Sequence, residues 1–174
     1  MRILTMSDFS YRDNEGGVNT GFGRQHKTIL SYLHSRSWDI HEVGCGYTGQ
    51  LIQYPPPWQL ISPTAYGRPE AQDCLFLLGN MLDVDAVFLL ADVPDVFYVG
   101  DPVRYRDRRT GQGLKEDIIA HFDAASFKRI AYTVIDGACP NDHLPKEWGS
   151  AFRGFDGLAF PTKWARDLAE KEFN

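Results

Sequence analysis

Apolar residues along the chain recur with two different periods, and the alternation between those periods is the main structural signal. Ile3, Leu4 and Met6 form a short apolar run of the kind found in strands covered on both faces. Phe22, His26, Ile29, Leu30 and Leu33 then recur at helical spacing and lay one apolar stripe against a sheet. Trp38 to Val43 predicts a second strand, with Ile40 and Val43 as its apolar members, and Gln59 to Ser62 a third that stops at Pro63. A helix is predicted from about Pro69 to Leu82, with Ala71, Cys74, Leu75, Leu78 and Leu82 on one face. Ala86 to Ala91 is too uniformly apolar for a surface strand and belongs in the middle of a parallel sheet.

From Val93 to Gly113 the pattern fades and charge accumulates, which predicts a long loop. Beyond it, Leu114, Ile118 and Phe122 mark a short helix, and Ile130 to Ile135 reads as another buried strand. A brief helix carrying Trp148 falls between Pro145 and Phe152, and a further strand runs from Gly157 to Phe160. Thr162 then caps a helix whose buried side is predicted as Trp164, Ala165, Leu168 and Ala169. Strands alternating with helices mean an α/β fold with a doubly wound, mostly parallel sheet, read here as one domain over residues 1–174.

In such sheets, ligands bind beyond the carboxyl ends of the strands. The residues at those ends are Ser7 and Asp8, Asp92, Asp136, and Thr162 with Lys163. Between the first strand and its helix lies a loop with glycines at 16, 17, 21 and 23, residues that permit positive φ and close approach of a ligand to the backbone. The start of the following helix offers free N–H groups. Either these glycines only close a tight turn, or Gly16, Gly17, Thr20, Gly21 and Arg24 line a pocket for a hydroxyl-rich or anionic group.

Composition narrows the function classes. A chain of 174 residues with 43% hydrophobic and 24% charged residues can bury a core without staples. A formal net charge of -5 argues against a general nucleic-acid binder. Cys45, Cys74 and Cys139, an odd number without a recognisable spacing, support neither a disulfide framework nor a closed zinc site. The first residues hold too few apolar positions for a signal-peptide core, and no stretch approaches the ~20 apolar residues of a membrane span, so a cytoplasmic protein is expected.

The glycine loop departs from known nucleotide fingerprints. Gly21-Phe22-Gly23-Arg24-Gln25-His26 has the first two glycines of the dinucleotide pattern, but His26 occupies the third position and no Walker lysine follows any glycine run. Cys139 and His143 lack a visible orienting partner for a thiol nucleophile. Asp8, Asp92 and Asp136 with Lys163 offer a second reading, a Mg²⁺-dependent phosphoacceptor (receiver-like) domain. A third is a stand-alone binding module that uses Arg104, Arg106, Arg108 and Arg109, although those charges are interspersed with Asp101 and Asp107 and equally fit a solvated loop.

The order of motifs supports a more specific resemblance. The first strand, the Gly16-Gly17 loop and Thr20-Gly21-Phe22-Gly23-Arg24 opening a helix are followed by Tyr132-Thr133-Val134-Ile135-Asp136-Gly137. Phe155-Asp156-Gly157-Leu158-Ala159-Phe160-Pro161-Thr162-Lys163-Trp164-Ala165 comes last. Together these resemble the N-terminal, acceptor-side half of GT-B glycosyltransferases of group 1, also called family 4, which are retaining, metal-independent and use nucleotide sugars. The resemblance implies that Gly16 and Gly17 line an interdomain cleft, with Thr20, Gly21, Arg24 and Lys163 along it. It also implies that Asp136 faces the cleft and that Asp92 stands near the reacting sugar, where family members often carry a histidine. No metal and no tightly bound cofactor are implied; the partners would be a sugar acceptor, a nucleotide sugar and a C-terminal donor-binding domain expected beyond Asn174. The isolated chain is then expected to be inactive in sugar transfer.

Overall fold

The computed structural model describes residues 1–8, 21–49, 51–52, 55–62, 71–103, 116–135 and 143–173. The strands are β1 (Arg2–Asp8), β2 (Asp39–Cys45), β3 (Gln59–Ile61), β4 (Ala86–Asp92), β5 (Lys128–Val134) and β6 (Gly157–Ala159). The helices are α1 (Gly21–Ser35), α2 (Ala71–Met81), α3 (Val93–Gly100), α4 (Glu116–Asp123), α5 (Trp148–Arg153) and α6 (Lys163–Phe173). The strands form one sheet in the order β3-β2-β1-β4-β5-β6, and every pairing is parallel. Helices connect successive strands except β2 and β3, and the fold is α/β and Rossmann-like. Order reverses between β1 and β4, where the chain, having built outward through β2 and β3, returns to build the other way. A receiver domain has the order 2-1-3-4-5, so this sheet overturns the receiver reading.

Because β1, β2 and β4 are buried on both faces, each contributes alternate residues to two cores. Under α1 lie Ile3, Leu30, Ile40, Ala86, Phe88 and Leu90, with Trp58. The opposite face, covered by α2 to α6, packs Leu4, Met6, Val43, Leu75, Phe76 and Leu89 among others. The two predicted apolar members of β2 therefore serve different cores, Ile40 under α1 and Val43 opposite.

Two predictions need correction. The stretch from Val93 is not loop throughout, because Val93–Gly100 is helical and begins directly after β4. Its β-branched residues carry little helical signal; packing against α5 holds it, with Val96 and Val99 fully buried. Trp164 does not belong to the buried side of α6. It is 48% exposed, whereas Ala165, Leu168 and Ala169 are buried. The residues three and four apart settle which face packs, and Trp164 lies one position off it. Among the described residues no helix is long and apolar enough to cross a membrane.

Candidate functional site

Parallel pairing puts every strand's carboxyl end on one edge of the sheet, and the local register decides what that edge holds. The β1–β2 ladder runs the full length of β1, to Asp8 opposite Cys45, and the β4–β5 ladder runs to Asp92 opposite Val134. The β1–β4 ladder stops earlier, at Met6 opposite Leu89. Ser7 and Asp8 on one side, and Leu90, Ala91 and Asp92 on the other, thus extend past the last paired residues. This is the point where strand order reverses, the position at which the crevice of open α/β sheets binds ligands.

Ser7 lies in this crevice. Alternation along β1 puts it on the same face as Ile3, the face that α1 covers. It is 2% exposed and its hydroxyl has no hydrogen-bond partner among the described residues. As the connection between two parallel strands, α1 starts at this carboxyl edge, so the positive end of its dipole faces it. Thr133, near the end of β5, is a second buried hydroxyl without a partner; like Ala131 it lies on the opposite face. A buried hydroxyl left unpaired costs roughly 1–3 kcal/mol; among the described residues Thr5, in the middle of β1, is a third, so this cost is not confined to the carboxyl edge.

The expected site residues fall into three groups. Asp8, Gly21 and Asp92 border the crevice. Gly21 is the first residue of α1, and a Cβ built on it would meet nothing within 4 Å. Its backbone is helical and, like Gly23, it is not a positive-φ residue; among the described residues the glycines that take positive φ are Gly46 and Gly49, after β2. The reading of Gly21 and Gly23 as turn-permitting glycines is therefore corrected. Asp92 is exposed and immediately precedes α3, the position where a carboxylate caps a helix. Arg24 is exposed one turn into α1, and Lys163, also exposed, follows β6, whose axis is about 10 Å from that of β4 at ordinary strand spacing. Gly16, Gly17, Thr20, Asp136 and the Arg104 to Arg109 loop lie outside the described residues.

Behind the crevice, under α1, a polar cluster is sealed from solvent. The Trp58 indole N–H donates to Glu42 Oε2 at 2.7 Å. His26 Nδ1 lies 3.6 Å from Glu42 Oε1, and the imidazole stacks on Phe88 at 6.4 Å between centroids. Both His26 and Glu42 are fully buried. This arrangement works against a dinucleotide site. His26 fills the place of the glycine that would bring helix and strand together. Glu42, about twenty residues beyond the glycines, where a ribose-binding acid would stand, is engaged by Trp58 inside the core.

The sequence signal for Ser7 and Thr133 was present as polar residues inside otherwise apolar strand runs. What sequence did not supply was the register that ends the β1–β4 ladder just before Ser7.

These features define a Rossmann-like α/β domain with an open switch point. No family model matches the chain, and no curated protein matches it. Among solved structures it is similar to the Bordetella bronchiseptica enzyme WbmH in complex with NAD+, at 7% identity and a TM-score of 0.35, covering 76% of this chain and 55% of that one. It is also similar to dTDP-glucose 4,6-dehydratase from Bacillus anthracis in complex with NAD, at 11% identity and a TM-score of 0.33, covering 80% and 56%. The chain thus spans a little over half the length of each.

Proposed function

We propose that this chain is the acceptor-binding half of a nucleotide-sugar-dependent glycosyltransferase, with its site in the crevice between β1 and β4. The observation that carries the reading is the early end of the β1–β4 ladder beside the unpaired, buried Ser7 hydroxyl and the start of α1. A hydroxyl and a helix N-terminus suit a ligand rich in oxygen, such as a sugar or a phosphate. In this reading Asp92 and Asp136 stand near the reacting hydroxyl, and Gly16, Gly17, Thr20, Gly21, Arg24 and Lys163 line the acceptor path. The donor's diphosphate is held by a separate domain. The chain's contribution is orientation and placement of charge at the acceptor, without a resident metal or tightly bound cofactor.

The test is calorimetric titration of the 174-residue chain with a panel of oligosaccharide acceptors, UDP- and GDP-sugars and NAD. The expected result is acceptor binding weakened about tenfold by Ser7→Ala and also weakened by Gly16→Val and Asp136→Asn, with weak donor binding and no sugar transfer by the chain alone. Tight binding of NAD would replace the proposal with a dinucleotide-binding domain. Turnover by the isolated chain would also overturn it, as would acceptor binding indifferent to all three substitutions.

A further inference from the structure

A second concavity lies away from the switch point, at the outer edge of the sheet where β6 has no further neighbour among the described residues. It is a groove of about 390 Å³ between α5, β6 and α6, large enough for a small organic ligand. Its walls are mainly apolar, with Phe152, Phe155, Leu158, Phe160, Ala169 and Phe173. Phe152 meets Phe160 and Phe173 edge-on, at 6.0 and 5.4 Å between centroids, so three rings form a rigid corner. Phe152 is buried, while Phe160 and Phe173 remain partly open to the groove.

The charges at its mouth are not equivalent. Asp156 already accepts from Lys128 Nζ at 2.8 Å and from the Arg129 N–H at 2.9 Å. Arg166 is held by Asp167 at 2.6 Å and lies 3.8 Å from Glu170. Both carboxylates on the rim therefore face cations, and one guanidinium is satisfied. Arg153, exposed at the end of α5, has no ion-pair partner among the described residues. The uncompensated charge beside this aromatic slot is positive.

We propose that this groove is a binding site for a hydrophobic anion, an aryl or acyl group ending in a carboxylate or sulfonate. The apolar body lies against the Phe152, Phe160 and Phe173 rings, and the anionic end meets Arg153.

The probe is 1-anilinonaphthalene-8-sulfonate, an aryl sulfonate, titrated by fluorescence against the full chain, with thermal unfolding confirming that each variant is folded. One saturable site is expected. Arg153→Gln, a surface change, weakens the sulfonate at least fivefold but leaves uncharged N-phenyl-1-naphthylamine unaffected. Ala169→Phe, which fills the slot, weakens both probes. Leu51→Ser removes an apolar side chain that is 95% exposed elsewhere on the molecule and changes neither affinity. Non-saturable binding, or a sulfonate affinity unchanged by Arg153→Gln, overturns the proposal even if Ala169→Phe fails to fold. So does a concentration-dependent dimer abolished by Ala169→Phe, which assigns the groove to a second copy of the chain.

Discussion

The two edges of the sheet are built from the same six strands and behave as opposites. At the amino edge, most polar groups are paired, the buried Arg129 Nη1 being an exception among the described residues. Arg2 donates through Nε to Asp39 at 2.7 Å, through Nη1 to the Leu82 carbonyl at 2.8 Å and through its backbone N–H to Asp85 at 2.7 Å. This one residue ties the entries of β1, β2 and β4 together. Backbone bonds continue the closure, from the Asp85 N–H to Arg2, the Lys128 N–H to Asp85 and the Asp156 N–H to Arg129, at 2.8 to 3.0 Å. At the carboxyl edge, the central ladder ends early and the buried Ser7 and Thr133 hydroxyls have no partners among the described residues. One edge satisfies most of its polar groups internally; the other leaves two buried hydroxyls available. That division is expected of a fold that uses one edge for stability and the other for binding.

Backbone packing gives the sharpest way to break the comparison. Below β6, α3 and α5 approach so closely that a Cβ on Gly154 would collide with the Gly100 carbonyl oxygen, and one on Gly100 with the Ala151 carbonyl oxygen. The obstacles are backbone atoms, which do not swing aside. Gly154→Ala should therefore cost roughly 3 kcal/mol, seen as a drop of about 10 °C in Tm by scanning calorimetry. Gly21→Ala at the carboxyl edge meets open space in a helical conformation and should be neutral or slightly stabilising, by less than about 1 kcal/mol. Equal losses from both substitutions would remove the distinction between the edges.

The unpaired hydroxyls allow a test of opposite sign. Thr133→Val keeps the β-branched shape and removes an oxygen that has no partner, so it should stabilise the chain by roughly 1 kcal/mol in urea denaturation. A loss of stability would mean that the hydroxyl is satisfied in solution, by water or by a neighbour, and that this edge is less open than its geometry implies.

Much of this architecture was legible in the sequence. The apolar runs of β1, β4 and β5, the stripe on α1 and the alternation of periods were sufficient for a parallel, doubly wound sheet, because burial on both faces leaves no other composition for its central strands. Helix α3 was not legible, since Val93, Val96 and Val99 disfavour helix locally and only the contact with α5 decides. Trp164 was misplaced because its neighbours Ala165, Leu168 and Ala169 fit a buried face just as well without it. At the candidate site, the clustering of Ser7, Asp8 and Asp92 at one edge followed from topology. The gap between β1 and β4 did not, since it depends on where a non-local ladder ends.

The smallest effect expected concerns the ionic closure of the amino edge and its dependence on pH. Lys128 and the Arg129 N–H hold the Asp156 carboxyl below the usual carboxylate range. A carboxyl whose folded pKa is lowered adds stability above its unfolded pKa and loses that contribution as pH falls through the folded value. The parent chain should therefore be more stable than Asp156→Asn at pH 7, by less than about 1 kcal/mol because the side chain of Asp156 is 35% exposed and Lys128 more so. The advantage should shrink below about pH 4, as the carboxyl protonates and Lys128 loses its partner. Salt should reduce the difference at neutral pH, since Lys128 is exposed. Paired denaturation curves at pH 7 and pH 3 measure it directly. A gap that did not shrink in acid would show that the charge of Asp156 does not contribute to stability here.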